Sequence, residues 1–236
     1  GSSSVNGMLF VRGEPALYDQ WRDGGATGWG YQDLLPYFKR LEDCAFGDPE
    51  YRGRGGPVPV TRLDLDDPIS RSFAEGCREY GLPDNDDYNG AQSDGVAAAQ
   101  LNTKDGRRVS SATAYIAPAR GRSNLTVIKD AVVDRIRIDG NRAAGVSLSI
   151  GGAPRQEISA RHEVILSAGA LHSPHLLELS GIGNGEILKQ HGIDVIKHVP
   201  GVGENLSDHL QSRISYESNK AVTINDMLRS NWRGAL

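Results

Sequence analysis

Two segments built from small residues constrain this chain more than any other feature. Residues 1–13 read GSSSVNGMLFVRG, and residues 167–183 read SAGALHSPHLLELSGIG. Each is a small-residue turn that runs into an apolar stretch. Backbone free of bulky side chains can pass within van der Waals range of a flat ring or a phosphate. Successive N–H groups near a helix start can bind a pyrophosphate, and Asn6 adds an amide that both donates and accepts. Each segment also has a plain reading. The first could be a Ser/Gly turn that caps an ordinary helix. In the second, Gly169 could simply let a helix and a strand approach.

With 29 glycines in 236 residues, tight turns and close backbone approaches are expected throughout. The length fits one large domain or two small ones. A net charge of −4 with no basic block argues against a nucleic-acid partner. No apolar run reaches the length of a membrane helix, and none reads as a signal peptide. Cys44 and Cys77 lack metal-type spacing, so free thiols in a reducing compartment are expected.

Along the chain, residues 14–60 are rich in aromatics, Gly and Pro. A short helix fits 31–42, with Pro36 limiting its first half, and 47–59 reads as a loop. Asp67 as N-cap and Pro68 at the first helical position open the next helix. Ile69, Phe73, Cys77 and Tyr80 share one face, and Gly81 and Pro83 stop it. Residues 84–95 are polar turn chemistry. Residues 125–160 read as an antiparallel meander. Ile136 and Ile138 alternate with charges, 139–141 turn, Val146, Leu148 and Ile150 alternate again, and 156–160 follow. Val164-Ile165-Leu166 fits a buried strand feeding Gly169. Ser173-Pro174 opens a helix that closes near Gly181, and a last strand fits 194–198. A meander beside a strand–Gly–helix unit points to a mixed α/β nucleotide-binding fold.

Other motifs carry little chemistry. Residues 201–206 (GVGENL) lack the third glycine of a dinucleotide fingerprint. The six histidines are scattered. His172 and His175 are three apart without a third ligand nearby, so no metal site is expected. Asp208-His209 could be an oriented base or a brace for a turn. No Ser/His/Asp or Cys/His set indicates covalent catalysis.

The whole chain resembles the glucose–methanol–choline (GMC) oxidoreductases, which are FAD-dependent alcohol oxidases and dehydrogenases. The two opening segments match that family's two signatures. NGMLFVRGEPALYDQW, GWGYQDLLPYFKRLE, GRRVSSATAYIAPA, NLTVIKDAVVDRI, EVILSAGALHSPHLLELSGIG and PGVGENLSDHL follow in family order. The stretch from Ala168 to Val195 looks like the bacterial choline-dehydrogenase-like branch. Because Gly1 falls inside the first signature, the chain is expected to be an internal piece of a longer flavoenzyme.

The resemblance implies an FAD cofactor. Gly1, Ser2, Asn6, Gly7, Met8 and Leu9 would lie along the pyrophosphate and flavin. Val133 would meet the adenine through its backbone, and Ala168 and Gly169 would lie near the adenosine half. Some relatives carry a flavin-linked His just before this Asn. Val5 stands there instead, so dissociable FAD is expected. The family's N-terminal G-x-G-x-x-G unit and its C-terminal region, which supplies the active-site His, have no match in the chain. No catalytic residue is therefore assigned.

The family also implies a domain plan. Residues 1–60 and 113–205 would belong to the FAD-binding part, 61–112 and 206–236 to a substrate-binding domain. The implied substrate is a small alcohol, with an unspecified electron acceptor, in the cytoplasm. An FAD-containing hydroxynitrile lyase of the same fold and a non-catalytic nucleotide-binding module remain alternatives.

Overall fold

The computed structural model describes residues 1–218, 220, 222–223 and 225–226, so part of the expected substrate-domain segment 206–236 lies outside the described residues. The fold mixes helices with short sheets, and the chain divides into two compact units, Gly1–Leu125 with Tyr216–Leu236, and Thr126–Ser215.

The first unit begins with a 3-10 turn, Ser2–Ser4, followed by helix α1 (Pro15–Asp23) and helix α2 (Tyr31–Leu41). The sequence reading assigned no helix to 15–23, although Pro15 sits at N1, where its missing N–H costs nothing. Helices α1 and α2 meet through aromatic rings, Tyr18 of α1 lying 5.6 Å from Phe38 and 6.3 Å from Tyr31 of α2. Pro36 is accommodated inside α2.

Strand β1 (Glu42–Cys44) pairs in parallel with β2 (Val58–Arg62), so the expected loop ends two residues early. The connecting loop folds back tightly: a Cβ on Gly53 would fall 1.8 Å from the Lys39 carbonyl oxygen, so only glycine fits. Helix α3 (Pro68–Glu79) follows with the expected punctuation. The Asp67 carboxylate accepts the N–H groups of Ile69 (3.1 Å) and Ser70 (2.9 Å). Leu82 N–H reaches the Cys77 carbonyl (3.1 Å) and Gly81 N–H that of Arg78 (2.9 Å), a Schellman closure. The apolar face of this helix lies open, with Phe73 72% and Tyr80 87% exposed, and the helix buries Ala74. Strand β3 (Gln100–Leu101) closes the sheet antiparallel to β2. Strands β4 (Thr103–Lys104) and β5 (Arg107–Arg108) form a hairpin, and a π-helical turn, Ala112–Ile116, runs into the one-turn helix α4 (Ala117–Ala119).

In the second unit β6 (Ala131–Asp139), β7 (Arg142–Ile150) and β8 (Gln156–Ser159) form the expected antiparallel meander, burying Ile136 and Leu148. Helix α5 (Gly169–Leu179) packs on it through Leu176, while Ser180 Oγ accepts the Ile136 N–H at 2.8 Å. This helix starts four residues before the expected Ser173, and Pro174 lies within it. Val164-Ile165-Leu166 is not a buried strand. It takes no β partner among the described residues, and Ile165 is 79% exposed. A strand needs a neighbour to satisfy its N–H and C=O groups, and an apolar run alone cannot supply one. Strand β9 (Ile182–Gly183), helix α6 (Gly185–Gln190) and β10 (Lys197–His198) complete the unit. Strand β10 pairs in parallel with β9, so the strand expected over 194–198 shrinks to two residues.

The first unit is tied together by buried charge. Glu42 is fully buried, and its Oε1 accepts from Arg12 Nη2 (2.7 Å), Arg52 Nε (2.9 Å) and the Gly53 N–H (2.7 Å), while Oε2 accepts from Arg52 Nη2 (2.9 Å). Arg52 Nη1 continues to Asp87 Oδ1 (2.5 Å) and Gln100 Oε1 (2.9 Å). Burial works against the Arg52 charge, but the hydrogen bond to Glu42 and the charges of Glu42 and Asp87 outweigh it, so its pKa is raised. Burial likewise pushes the Cys44 thiol up.

Glu42→Ala strands two buried guanidiniums and should cost about 3–5 kcal/mol in urea unfolding, whereas exposed Glu50→Ala should stay within about 0.5 kcal/mol. Equal effects would contradict a buried tie.

The Asp67 carboxyl is held below its ordinary pKa, first by the Ser70 side chain and then by the capping N–H groups. Such a depressed acid stabilises the fold above the unfolded-state value, and this is lost as pH falls through the folded-state value. The melting-temperature gap between wild type and Asp67→Ala should therefore shrink on acidification. A gap independent of pH would refute the capping role.

Candidate functional site

The site is built on the first eleven residues. After the 3-10 turn the chain reaches Leu9, which forms an antiparallel bridge with Leu101 at the end of β3. Phe10 N–H donates to the Gln100 carbonyl (2.8 Å), and Asn102 N–H to the Met8 carbonyl (3.0 Å). Between turn and bridge lie Asn6, Gly7 and Met8. Met8 has φ +63, a left-handed value that costs an ordinary residue energy and needs support. The support is the Asn6 side chain, whose Oδ1 accepts the Met8 N–H at 3.1 Å.

The β4–β5 hairpin supplies the other wall. Asp105 (φ +49) and Gly106 (φ +71) are its two turn residues, the Asp-Gly pattern of a two-residue hairpin. The turn aims Arg108 at the loop, where its Nη1 donates to Asn6 Oδ1 (2.6 Å) and Nη2 to the Asn6 carbonyl (2.7 Å). Ser3 Oγ accepts from the Ser111 N–H (3.2 Å) and hydroxyl (3.1 Å). A cavity of about 230 Å³ adjoins the loop, with Ser3, Asn6, Leu9, Asn102, Ser111 and Tyr115 in its wall. A larger cleft of about 480 Å³ runs along Arg12 and the 88–94 turn, away from the loop.

Six expected site residues, Gly1, Ser2, Asn6, Gly7, Met8 and Leu9, thus share one loop of the first unit. The other three lie in the second unit. Val133 sits on β6 beside a register shift and is 37% exposed. Ala168 is the N-cap of α5, its N–H donating to Ser173 Oγ at 3.0 Å, and Gly169 follows at φ +92. Arg108, Ser3 and Ser111 were not singled out from sequence. The adjacent Asp105-Gly106 turn was the signal that a hairpin would carry Arg108 somewhere definite.

The loop leaves backbone groups and space open. The 3-10 turn leaves its first N–H groups, those of Ser2 and Ser3, without partners inside the turn. A Cβ built on Gly7 meets no atom within 4 Å, so open space lies against its backbone. Nothing equivalent exists for a metal: among the described residues no group of three or more His, Cys, Asp or Glu gathers. Asp208 Oδ1 accepts the backbone N–H of His209 (2.8 Å), bracing the chain rather than orienting the imidazole. Among the described residues no helix is long and apolar enough to cross a membrane.

Residues 1–211 match the family model described as GMC oxidoreductase. Two curated relatives are oxygen-dependent choline dehydrogenases. That of Vibrio vulnificus is 42% identical over 97% of this chain and 41% of its own length. That of Photobacterium profundum is 44% identical over 97% and 40%. The chain therefore spans about two fifths of the curated relatives it matches. Among solved structures, pyridoxine 4-oxidase from Mesorbium loti is 34% identical with TM-score 0.78, over 84% of this chain and 39% of that one. An FAD-dependent oxidoreductase from Chaetomium thermophilum is 32% identical with TM-score 0.83, over 88% and 38%.

Gly106→Ala forces a Cβ into a left-handed turn and should destabilise the chain by about 1 kcal/mol, with faster exchange of the Val109 amide. Gly121→Ala, whose Cβ meets nothing within 4 Å, should change stability by no more than about 0.5 kcal/mol. Equal stability of the two variants would mean the hairpin does not depend on this turn.

Proposed function

The chain belongs to the GMC oxidoreductase family, and we propose that it forms the FAD-binding portion of a flavin-dependent oxidoreductase acting on CH–OH donors. The observation that carries this reading is the loop at Asn6, Gly7 and Met8: a strained backbone fixed by its neighbours, with open space against Gly7. In this reading Ser2 and its neighbours offer backbone N–H groups to the pyrophosphate. Gly7 and Met8 pass against the ring, and Leu9 anchors the loop to β3. Val133, Ala168 and Gly169 serve the adenosine half.

Bound FAD would take up the hydride removed from an alcohol. This chain's own part is to hold and orient the cofactor and to form part of the substrate wall. Residues 61–112 and 206–236 would belong to the substrate-binding portion, 1–60 and 113–205 to the FAD-binding portion. We assign the proton-accepting base to a part of the parent enzyme beyond these residues, so this chain alone should not oxidise alcohols. The choline dehydrogenases among the relatives favour a small alcohol as substrate. The partially buried and buried free thiols of Cys77 and Cys44 favour a reducing compartment such as the cytoplasm.

Val5 carries no nucleophile, so the flavin should be held without a covalent bond. Acid precipitation of the holoenzyme should leave the yellow chromophore in the supernatant, and colour retained in the pellet would overturn this.

Gly7 offers the sharper test. Its φ lies outside the left-handed region and its Cβ space is empty, so Gly7→Val should leave the melting temperature of the FAD-free protein unchanged. The same change should strongly lower flavin occupancy, read as the flavin-to-protein absorbance ratio. Full occupancy in Gly7→Val would remove this loop from the cofactor site.

A further inference from the structure

Two hydrogen-bond donors converge on a single atom of the Asn6 side chain. Arg108 Nη1 approaches it to 2.6 Å and the Met8 N–H to 3.1 Å. Neither a guanidinium nor a backbone N–H can accept, so the atom they share must be the amide oxygen. The Asn6 NH₂ group is then turned away from both. A freely rotating asparagine could offer a ligand either its oxygen or its NH₂, whereas this one can offer only NH₂.

Arg108 does more than hold the side chain. Its second branch, Nη2, donates to the Asn6 carbonyl at 2.7 Å, and Nη1 also reaches the Ser3 carbonyl at 3.3 Å. One planar fork thus fixes both the main chain and the amide of one residue, which a lysine cannot do with a single ammonium. The fork is itself held in place. Arg108 stands opposite Thr103 across the hairpin. The hairpin's base is closed by Val109 N–H to the Asn102 carbonyl (2.9 Å) and Asn102 Nδ2 to the Val109 carbonyl (2.8 Å). Asn102 in turn donates its own N–H to Met8. Hairpin and loop form one closed hydrogen-bonded ring.

We propose that Arg108 is a positioning residue for the cofactor loop: it locks the Asn6 amide so that Asn6 meets the ligand only as a donor, and through Asn6 it holds Met8 in its left-handed conformation. The acceptor would be an oxygen of the flavin, the ribityl chain or a phosphate. The inference rests on the FAD reading of the loop. A merely structural Arg108 would stabilise the chain without dictating which end of the amide faces the ligand.

Asn6→Asp separates the two roles. A carboxylate keeps both acceptors, for Arg108 and for Met8, while it loses the NH₂ donor and adds a negative charge, and both changes act against a ligand oxygen that the NH₂ meets. The measurements are amide hydrogen exchange at Met8 in the FAD-free protein and FAD affinity of the holoenzyme by flavin fluorescence titration. Arg108→Ala should lose Met8 protection and weaken FAD on the order of tenfold or more. Arg108→Lys should restore neither fully, and guanidinium ion added at low concentration should recover part of the affinity of Arg108→Ala. Asn6→Asp should keep Met8 protection yet weaken FAD by a similar factor, and guanidinium should not rescue it. Unchanged Met8 exchange in Arg108→Ala, or wild-type FAD affinity in Asn6→Asp, would overturn the proposal. A wild-type protein that binds no FAD would instead sink the cofactor reading, while the Met8 exchange of Arg108→Ala would still decide whether the lock exists.

Discussion

The first unit depends on one buried carboxylate. Glu42 sits at the start of β1 with none of its surface exposed, and four donors from Arg12, Arg52 and Gly53 close around it. A lone ion there would be prohibitively costly, so the arrangement is defensible only as a set. Asp87 balances the second guanidinium, and Asn89 and Gln100 extend the set. Asn89 Oδ1 accepts the Arg12 N–H (2.6 Å), and its Nδ2 donates to the Phe10 carbonyl (2.9 Å) and Gln100 Oε1 (2.8 Å). Five stretches distant in sequence are brought into register by these contacts. Apolar packing is nondirectional and would tolerate slippage, whereas a forked guanidinium does not.

That register carries through to the loop. Phe10 and Arg12 are fixed by the network, Gln100 belongs to it, and Leu9 bridges to Leu101. The strained Met8 therefore hangs from a rigid support on its C-terminal side and from the Arg108 hairpin on the other. Strain at a candidate site persists only where the surroundings over-determine it. In this unit a buried cluster of two arginines and two carboxylates does so, a few residues from where the cofactor contacts are proposed. The second unit uses simpler means: an antiparallel meander with one helix packed on β6 and a serine hydroxyl bridging them.

Much of this was legible from sequence where a local rule sufficed. Asp67-Pro68 and Gly81-Pro83 bracket α3 because caps are made by neighbours in the chain. The meander followed from its period of two and its turn residues. Legibility failed where partners are remote. Val164-Ile165-Leu166 has the letters of a buried strand but no pairing neighbour among the described residues. Phe73 and Tyr80 sit on a helical stripe that stays exposed among the described residues. The polar letters of 84–95 read only as turn chemistry, yet Asn89 is 3% exposed, with partners at Arg12 and Phe10, 77 and 79 residues away. Arg108 was passed over for the same reason, its target Asn6 being 102 residues distant. The nine expected cofactor residues rest on the family resemblance. The structure gathers six of them in one loop and adds the residue that fixes that loop.

The central proposal is that Gly1, Ser2, Asn6, Gly7, Met8 and Leu9 contact FAD along its pyrophosphate and flavin, with Val133, Ala168 and Gly169 serving its adenosine half. Amide hydrogen exchange of the flavoenzyme with and without FAD tests it most directly. The account predicts that FAD slows exchange from Ser2 to Leu9, at Val133 and at the start of α5, and leaves α3 unchanged. Protection confined to the cleft along Arg12 and residues 88–94, with the Asn6–Met8 loop exchanging as before, would contradict it.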